Sequence, residues 1–400
     1  MRKEQAGSAV GLSWPGRREA RVVACPEMVV EREVGDSAGA GLLLHCDNLD
    51  AMAWVAARQR AGEMAKAALI YIDPPYAMEA KHRIDVERDG AVQSEVAYSD
   101  YWGEPAKYLQ FMWDRLVPMR ELLAEDGALC VHCDWRADAW LRVMLDEVFG
   151  RECFRNEVVW RRAPNLGHQA AARQLGRTTD TILVYTRTAG CEMRGVMPVR
   201  SAAVELTKTG RPRGATWDAE RKAWFTTAPR GDYTDASMAA LREQGRVHET
   251  ASGKQYVKYF LRQGEDGRWY KDQPVDTLWA DEEVRPLRHC TREELDVGYP
   301  TQKPEGLLRR VVEWTTRRGD LVMDLFCGSG TTLAVAAKLG RAWVGCDVGE
   351  HAVRVCRERM TRVCGEVGGG GRVIGVIKKN ARVEAGVGEG QRSESTITKT

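Results

Sequence analysis

An acidic residue, two prolines and a tyrosine follow directly after a short apolar run in the first quarter of the chain. These residues are Asp73, Pro74, Pro75 and Tyr76, and the apolar run is residues 69–72. Because each proline fixes φ at about −65° and lacks an N–H group, the carbonyl groups of this turn point in set directions. A carboxylate beside a rigid carbonyl can accept both hydrogens of an exocyclic amine, and the tyrosine ring offers a flat surface for stacking. We therefore predict that this segment holds the amino group of a planar base.

A strand pattern over residues 321–325 runs into a Gly-x-Gly turn that opens a helix. Glycines let the backbone approach a ligand closely, and turns of this kind bind nucleotides at the carboxyl ends of strands. The dinucleotide fingerprint does not fit, because Leu333 stands where that fingerprint has its third glycine. The candidate cofactor-binding residues of this turn are Asp324, Phe326, Gly328, Ser329, Gly330 and Thr331.

Two further acids end strand patterns. Asp347 follows Asp324 by about 20 residues, the spacing at which an acid binds ribose hydroxyls, and it can also cap the next helix. Asp47 ends an early strand pattern, where it can cap a helix and lie beside the adenine of a cofactor. These acids and the glycine turn together predict a site for a cofactor that contains a nucleoside.

A proline-containing loop, residues 298–305, lies just upstream of the glycine turn and leads into a predicted helix over residues 307–315. Thr301 and Lys303 in this loop offer a hydroxyl and a positive charge. We expect both side chains to contact the carboxylate end of the cofactor.

The eleven cysteines are scattered, odd in number and partly embedded in apolar strand patterns. This usage is typical of reduced thiols in a cytoplasmic protein. Cys130, His132 and Cys133 resemble half of a zinc site, but no second pair follows at the spacing of zinc fingers or ribbons. We therefore predict no metal.

The elements that must position these residues alternate between short apolar strands and helical patterns. This alternation predicts an α/β fold with a largely parallel sheet. The predicted helices cover about residues 106–123, a segment starting near residue 330, and about residues 349–363. The predicted strands are residues 42–45, 67–72, 128–132, 157–160, 181–185, 321–325 and 342–345.

Residues 188–297 break this alternation and are predicted to form an inserted module. The whole chain carries a net charge of only +2, but residues 151–230 hold 15 Lys and Arg against 7 Asp and Glu. This basic excess predicts contact with nucleic-acid phosphates, although a solvated basic surface is the simpler interpretation. The insert interleaves aromatic with basic residues: Trp217, Trp224, Tyr233, Tyr256, Tyr259, Trp269 and Tyr270 with Arg211, Arg213, Lys254, Lys258 and Arg268.

The two ends of the chain show little periodicity. Residues 1–40 are predicted to be a loose extension and residues 366–400 a flexible tail, in which residues 373–377 could form one more strand. No apolar run approaches the roughly 18 residues of a membrane helix, and residues 1–40 lack a signal-peptide core. We expect a cytoplasmic protein without a membrane partner.

The order of these motifs resembles the β group of DNA amino-methyltransferases found in restriction–modification systems. Asp-Pro-Pro-Tyr comes first, an insert follows, and Thr-Gln-Lys-Pro and Asp-x-Phe-x-Gly-Ser-Gly-Thr-Thr come last. The resemblance covers roughly residues 41–187, a catalytic half, and residues 298–365, a cofactor half. It implies a circularly permuted class I methyltransferase fold, with a mixed, mostly parallel sheet and one antiparallel strand near its edge. The insert, residues 188–297, stands where that group keeps its target-recognition region.

The resemblance also implies the chemistry. Asp73, Pro74 and Tyr76 would hold a base flipped out of double-stranded DNA. S-adenosyl-L-methionine would supply the methyl group, and adenine N6 is the first candidate for the acceptor. Relatives often continue the catalytic motif with Asn-Thr, where this chain has Ala77 and Met78. We therefore expect the loop over residues 77–100 to close over the substrate differently.

Three other functions share parts of this motif pattern. Cytosine N4 is the nearest alternative acceptor, and Ser at position 73 would have favoured it. RNA or protein amide methyltransferases usually carry Asn rather than Asp before Pro-Pro-Tyr. A DNA-binding relative without catalysis is disfavoured by the intact Asp73 and glycine turn. The sequence leaves open a homodimer and a restriction partner.

Overall fold

The computed structural model describes residues 11–34, 37–76, 81–88, 91–99, 102–163, 173, 175–287, 299, 302–366 and 371–378. The chain divides into two compact units. The larger unit comprises Met1–Val196 and Thr277–Thr400, and the smaller unit comprises Met197–Asp276. The smaller unit falls within the predicted insert, residues 188–297.

The strands of the described residues are β1 Met28–Val34, β2 Ser37–His45, β3 Ala67–Ile72, β4 Lys81–Arg88, β5 Ala91–Ser99, β6 Leu123–Cys133, β7 Phe154–Arg161, β8 Thr179–Thr186, β9 Val199–Val204, β10 Thr216–Asp218, β11 Ala223–Pro229, β12 Val247–Glu249, β13 Gln255–Gln263, β14 Trp269–Pro274, β15 Leu278–Trp279, β16 Leu321–Asp324, β17 Ala342–Asp347 and β18 Gly371–Lys378. The α-helices are α1 Asn48–Arg60, α2 Pro105–Leu122, α3 Asp138–Phe149, α4 Asp235–Glu243, α5 Glu305–Thr315, α6 Thr331–Lys338 and α7 Glu350–Glu366.

The larger unit contains one ten-stranded sheet in the order β1-β18-β2-β17-β16-β3-β6-β8-β7-β15. Strands β18 through β6 run parallel to one another in this order. Strand β8 is antiparallel to both of its neighbours, β6 and β7. The predicted mixed, mostly parallel sheet is confirmed, and β8 is an antiparallel strand near one edge as predicted. Strand β1 at the other edge is a second antiparallel strand, because it pairs antiparallel with β18. The permutation is also present, because β16 and β17 occupy the centre of the sheet but follow β3 and β6 in the chain.

The central strands are apolar except for the terminal Asp324 of β16, because they are covered on both faces. All six residues of β3 are buried, and so are all four of β16. One face of the sheet packs on α1, α2 and α3 in a single apolar core, to which α2 contributes Leu109, Met112 and Leu116. Helices α5, α6 and α7 form a second packed group. This arrangement leaves the carboxyl ends of the parallel strands free to build a site.

Several predicted boundaries differ from the observed ones. The predicted helix over about residues 106–123 and the predicted strand over residues 128–132 leave a gap between them, but α2 ends at Leu122 and β6 begins at once with Leu123. The residues of this gap therefore lie inside β6, where the register with β3 shifts.

The predicted loose extension contains a strand, β1, which the sequence did not predict, whereas β18 lies where the sequence allowed one more strand, residues 373–377. Strand β1, within the predicted extension, pairs with β18, within the predicted tail, and β18 pairs in parallel with β2. Trp14 is also buried in the core beside α1 and α2. These pairings join segments more than 300 residues apart, which local patterning does not reveal.

The smaller unit is an antiparallel sheet in the order β10-β11-β13-β14-β9, with β12 also pairing with β13. Its apolar core is small: Met238 and Leu241 of α4 pack on Val257 of β13. Among the described residues of both units, no helix is long and apolar enough to cross a membrane.

Candidate active site

The carboxyl ends of β3 and β16 lie side by side at the centre of the large sheet. Asp324, the last residue of β16, is in register with Tyr71 of β3, and Asp73 follows β3 directly. Ligands of open α/β sheets bind in the crevice where neighbouring strands lead off in opposite directions. A cavity of about 850 Å³ opens at this crevice. Predicted site residues on its wall are Asp47, Asp73, Pro74, Pro75, Tyr76, Lys303, Asp324, Phe326, Gly328, Ser329, Thr331 and Asp347.

Asp73 accepts hydrogen bonds on both of its carboxylate oxygens. The Tyr76 hydroxyl donates to Oδ1 over 2.7 Å, and the Lys303 ammonium donates to Oδ2. The Lys303 Nζ also lies 3.5 Å from the Tyr76 hydroxyl oxygen. Burial, and next the negative charge of Asp73, raise the pKa of Tyr76 well above its usual value, so its hydroxyl stays protonated as a donor.

The structure places Lys303 on Asp73, whereas the sequence predicted a contact with the carboxylate end of a cofactor. The difference arises because the loop before α5 crosses the end of β3, which the sequence pattern of the loop alone does not show. Thr301, predicted to act with Lys303, lies outside the described residues. The prediction that the loop over residues 77–100 closes over the substrate differently also depends on segments outside the described residues. Within this loop, residues 81–88 and 91–99 form the antiparallel pair β4–β5.

A buried hydrogen-bonded chain lies behind the catalytic segment. The Tyr71 hydroxyl and His132 Nδ1 are 2.8 Å apart, and His132 Nε2 is 3.2 Å from Oδ2 of Asp180. Oδ1 of Asp180 is 2.8 Å from Nε of Arg162. His132 is fully buried and Asp180 is 4% exposed, yet Asp180 and Arg162 both reach the cavity wall. These hydrogen bonds connect the ends of β3, β6 and β8.

The same hydrogen bonds explain the role of the histidine in the segment that resembles half of a zinc site. His132 bonds to Tyr71 and Asp180, while Cys130 and Cys133 are buried free thiols. Burial raises the pKa of Cys130 to about 12 and that of Cys133 well above its usual value, which disfavours metal-binding thiolates. Among the described residues, no group of three or more His, Cys, Asp or Glu side chains is placed to hold a metal ion.

The glycine turn has the backbone geometry that its sequence predicts. Gly328 and Gly330 have φ of 48° and 76°, values that side chains disfavour. A Cβ atom on Gly328 would lie 3.3 Å from the Tyr299 ring, and one on Gly330 would lie 2.5 Å from the Cys356 sulfur. The turn therefore needs glycine at both positions, and α6 starts directly after it.

The glycine turn is stabilised by contacts with Arg359, which is 3% exposed. Its guanidinium donates to the Thr331 hydroxyl over 2.9 Å and to the Glu305 carboxylate over 2.8 Å. The Ser329 and Thr331 hydroxyl oxygens lie 3.4 Å apart. These contacts hold the first turn of α6 at the cavity.

Asp347 and Asp324 fix the turn from the strand ends. Asp347 accepts the Gly328 N–H on Oδ2 over 2.9 Å and the Gly349 N–H on Oδ1 over 2.8 Å. Asp324 accepts the Phe326 N–H over 3.1 Å and the Thr332 hydroxyl over 2.6 Å. Burial raises the pKa of both carboxyl groups, to about 7 for Asp324, and these hydrogen bonds oppose the shift.

Asp47 caps α1 and accepts a second donor. It accepts the Leu49 N–H over 2.8 Å and pairs with the Arg115 guanidinium over 3.0 Å. Arg115, 6% exposed, also donates to Asn48 over 2.6 Å, and Asn48 donates to the Leu325 carbonyl over 3.1 Å. Asp47 is therefore linked to the end of β16 and lies on the cavity wall.

Aromatic rings form one side of the cofactor half of the cavity. Phe111 lies 6.2 Å from Phe326 and 4.6 Å from Trp102 between ring centroids. The Arg115 guanidinium lies 3.5 Å from the Phe111 centroid. Such a wall can bind the face of an adenine ring.

Residues beyond the sequence prediction also line the cavity. Arg115 had a detectable signal, since a charged residue on the apolar face of α2 needs a buried partner. No sequence signal marks Asp180 and Arg162, because they flank ordinary strand patterns. The cavity residues that the sequence did not single out include Asn48, Tyr71, Trp102, Phe111, Arg115, Trp160, Arg162 and Asp180.

The fold and this site are those of a methyltransferase of nucleic-acid bases. Residues 67–358 match a family model for N6 and N4 methyltransferases described as DNA methylase. The match spans more than half of the chain, and the chain belongs to this DNA methylase family.

Individual relatives are similar over much of the chain. The type II methyltransferase M.EcaI of Enterobacter cloacae is 28% identical, over 88% of this chain and 78% of its own length. The Mod subunit of the type III restriction-modification enzyme StyLTI of Salmonella typhimurium is 24% identical, over 82% of this chain but only 57% of its own length. Among solved structures, M1.HpyAVI in complex with SAM is 14% identical, covers 80% of this chain and 98% of its own, and has a TM-score of 0.42.

Proposed function

We propose that this protein transfers a methyl group from S-adenosyl-L-methionine to the N6 amino group of adenine in double-stranded DNA. The observation that carries the proposal is the single cavity that contains both the Asp73–Tyr76 segment and the glycine turn after β16. Membership of the DNA methylase family supports the substrate class. Asp at position 73 favours adenine N6 over cytosine N4.

The cofactor half of the cavity fits S-adenosyl-L-methionine. Each oxygen of Asp347 accepts one backbone N–H and keeps a lone pair for a ribose hydroxyl. Gly328 lies on the cavity wall and lets the backbone approach the ligand without a side chain, while Gly330 provides the close packing of the turn against Cys356. Phe326, Phe111 and Asp47 line the same cavity, and in this proposal they contact the adenine of the cofactor. When bound, this cofactor supplies an electrophilic methyl group on sulfur.

The catalytic half performs the remaining work through orientation. The lone pair of an exocyclic amine is delocalised into the base, so the nitrogen must become tetrahedral before it can react. Hydrogen bonds from the amine to Asp73 and the Pro74 carbonyl favour that geometry. The Tyr76 ring stacks on the base and recovers part of the cost of flipping it out of the duplex. The walls of the cavity exclude water from the reacting atoms.

Methylation of plasmid DNA by the purified protein, mapped by single-molecule sequencing, tests this proposal. We expect N6-methyladenine at a defined sequence, and no modification with Asp73→Ala. The variant should keep its affinity for the cofactor, since Asp73 lies in the other half of the cavity. Detection of N4-methylcytosine instead would show that cytosine N4 is the acceptor. Normal turnover of Asp73→Ala would refute the role of Asp73.

A restriction partner fits the same proposal. One of the relatives above is named as the Mod subunit of a type III restriction-modification enzyme. Protection of methylated DNA against a nuclease encoded nearby would test it.

A further inference from the structure

Lys303, Asp73 and Asp180 all line the same cavity. The Lys303 ammonium pairs with Asp73, with only 14% of the Lys303 side chain and 21% of the Asp73 side chain exposed. Its charge also acts on Asp180, whose pKa is lowered. Burial opposes this lowering, while the hydrogen bond and charge of His132 and the charges of Lys303 and Arg162 outweigh it.

The pair of Lys303 with Asp73 conflicts with the proposed reaction. The target amine must donate its hydrogens to the lone pairs of Asp73 that remain beside the donors of Tyr76 and Lys303. An amine nitrogen that takes a methyl group also becomes cationic before it loses a proton to solvent. An ammonium group on the same carboxylate repels that charge in a cavity screened from water. Lys303 must therefore leave Asp73 before methyl transfer.

We propose that Lys303 moves from Asp73 to Asp180 when the target base enters the cavity. This inference rests on the proposed function. It makes Asp180 a positioning residue, which acts through Lys303 without touching the substrate. Asp73 then accepts the amine hydrogens without an ammonium group on the same carboxylate.

The surroundings of Asp180 suit a receiving carboxylate. His132 and Arg162 hold its two oxygens at 3.2 and 2.8 Å, and the Tyr71 hydroxyl fixes His132 from behind. A carboxylate has about four lone-pair sites, so Asp180 can accept a third donor without losing these two. The carboxylate is 4% exposed and reaches the cavity wall, so an arriving ammonium meets little competition from water.

A double-mutant cycle in the full-length protein separates this role from a structural one. The variants are Asp180→Asn, Lys303→Met and their combination, and the measurements are kcat, the KM for DNA and cofactor affinity. We expect Asp180→Asn to lower kcat by about tenfold or more in the presence of Lys303 and to have little effect in its absence. Cofactor affinity should stay the same. Asp114→Asn is the matched control, because Asp114 is 5% exposed and pairs with Arg18 over 2.8 Å away from the cavity wall.

The outcomes are distinct. An equal loss of kcat from Asp180→Asn with and without Lys303 would show that Asp180 acts only on structure, and an unchanged kcat would also overturn the proposal. A wild-type protein that does not methylate DNA in the same assay would instead refute the proposed function. If Asp180→Asn does not fold, a crystal structure of the wild type with target DNA and sinefungin decides the question. Lys303 Nζ within about 4 Å of Asp180 supports the proposal, and Lys303 remaining on Asp73 overturns it.

Discussion

The Tyr76 hydroxyl donates a 2.7 Å hydrogen bond to Oδ1 of Asp73, three residues earlier in the chain. Pro74 and Pro75 between them restrict the backbone, so the bond fixes the ring relative to the carboxylate. The surface that stacks on a base and the acceptor that binds its amine are thus held together before substrate arrives. Such preorganisation lowers the cost of ordering the site on binding.

Substitutions of Tyr76 separate the ring from the hydroxyl. Tyr76→Ala removes a stacking contact worth ~1–3 kcal/mol, so we expect kcat/KM for DNA to fall by about 5- to 150-fold. Tyr76→Phe keeps the ring and loses one hydrogen bond, so its loss should stay below about tenfold. Steady-state kinetics, with 2-aminopurine fluorescence to report base flipping, measures both. Equal losses in the two variants would show that the hydroxyl, not the ring, carries the effect.

Gly328→Val should weaken cofactor binding. The substitution places a branched side chain at φ 48° and against the Tyr299 ring, on the cavity wall. Gly62→Val is the matched control, because Gly62 has φ 75° with no atom within 4 Å of its Cβ position. Both substitutions introduce backbone strain of about 1–3 kcal/mol, but only Gly328→Val should raise the dissociation constant of the cofactor in calorimetry. A parallel loss in the control would mean that strain alone explains the result.

Asp324 should make stability depend on pH. Its pKa is about 7 in the folded protein and 3.8 in the unfolded chain, so folding favours the protonated carboxyl. The stabilisation is complete below pH 3.8 and is lost as pH rises through about 7, by on the order of 4 kcal/mol. Asp324→Asn mimics the neutral form. Urea unfolding at pH 5 and pH 8 should therefore show a smaller loss for this variant than for the wild type, and equal losses would contradict the assignment.

The smaller unit should contribute to DNA binding. Arg211 and Arg213 are exposed on it, and Arg213 pairs with the exposed Glu205. Replacing both by Ala should weaken binding and reduce the slope of log K against log salt by about 0.9 for each lost phosphate contact. Arg309 and Arg354, exposed arginines of the larger unit with similar surface pairs, provide the control double variant. Filter binding at several salt concentrations measures the slopes, and unchanged slopes would remove these residues from the interface.

The sequence predicts what lies within one contiguous motif. Strand β3 and the glycine turn are predicted correctly because apolar runs and glycines act locally. The sequence does not predict the partners of these motifs. Lys303 meets Asp73 across 230 residues, and Arg115 meets Asp47 across 68. Packing of distant elements decides these pairings, so the charged network around the catalytic carboxylate requires the tertiary structure.

The position of β16 in the sheet affects how the protein folds during its synthesis. Strands β3 and β6 leave the ribosome first and pair with each other, but the other edge of β3 stays open until residues 321–324 emerge. The whole smaller unit is made in the interval, and domains generally fold as units as they emerge. An apolar strand edge is thus exposed for the time it takes to synthesise about 250 residues, on the order of 10 to 50 s at typical rates of protein synthesis. Chaperone binding to ribosome-attached chains should be strongest in this interval and end when β16 closes the sheet.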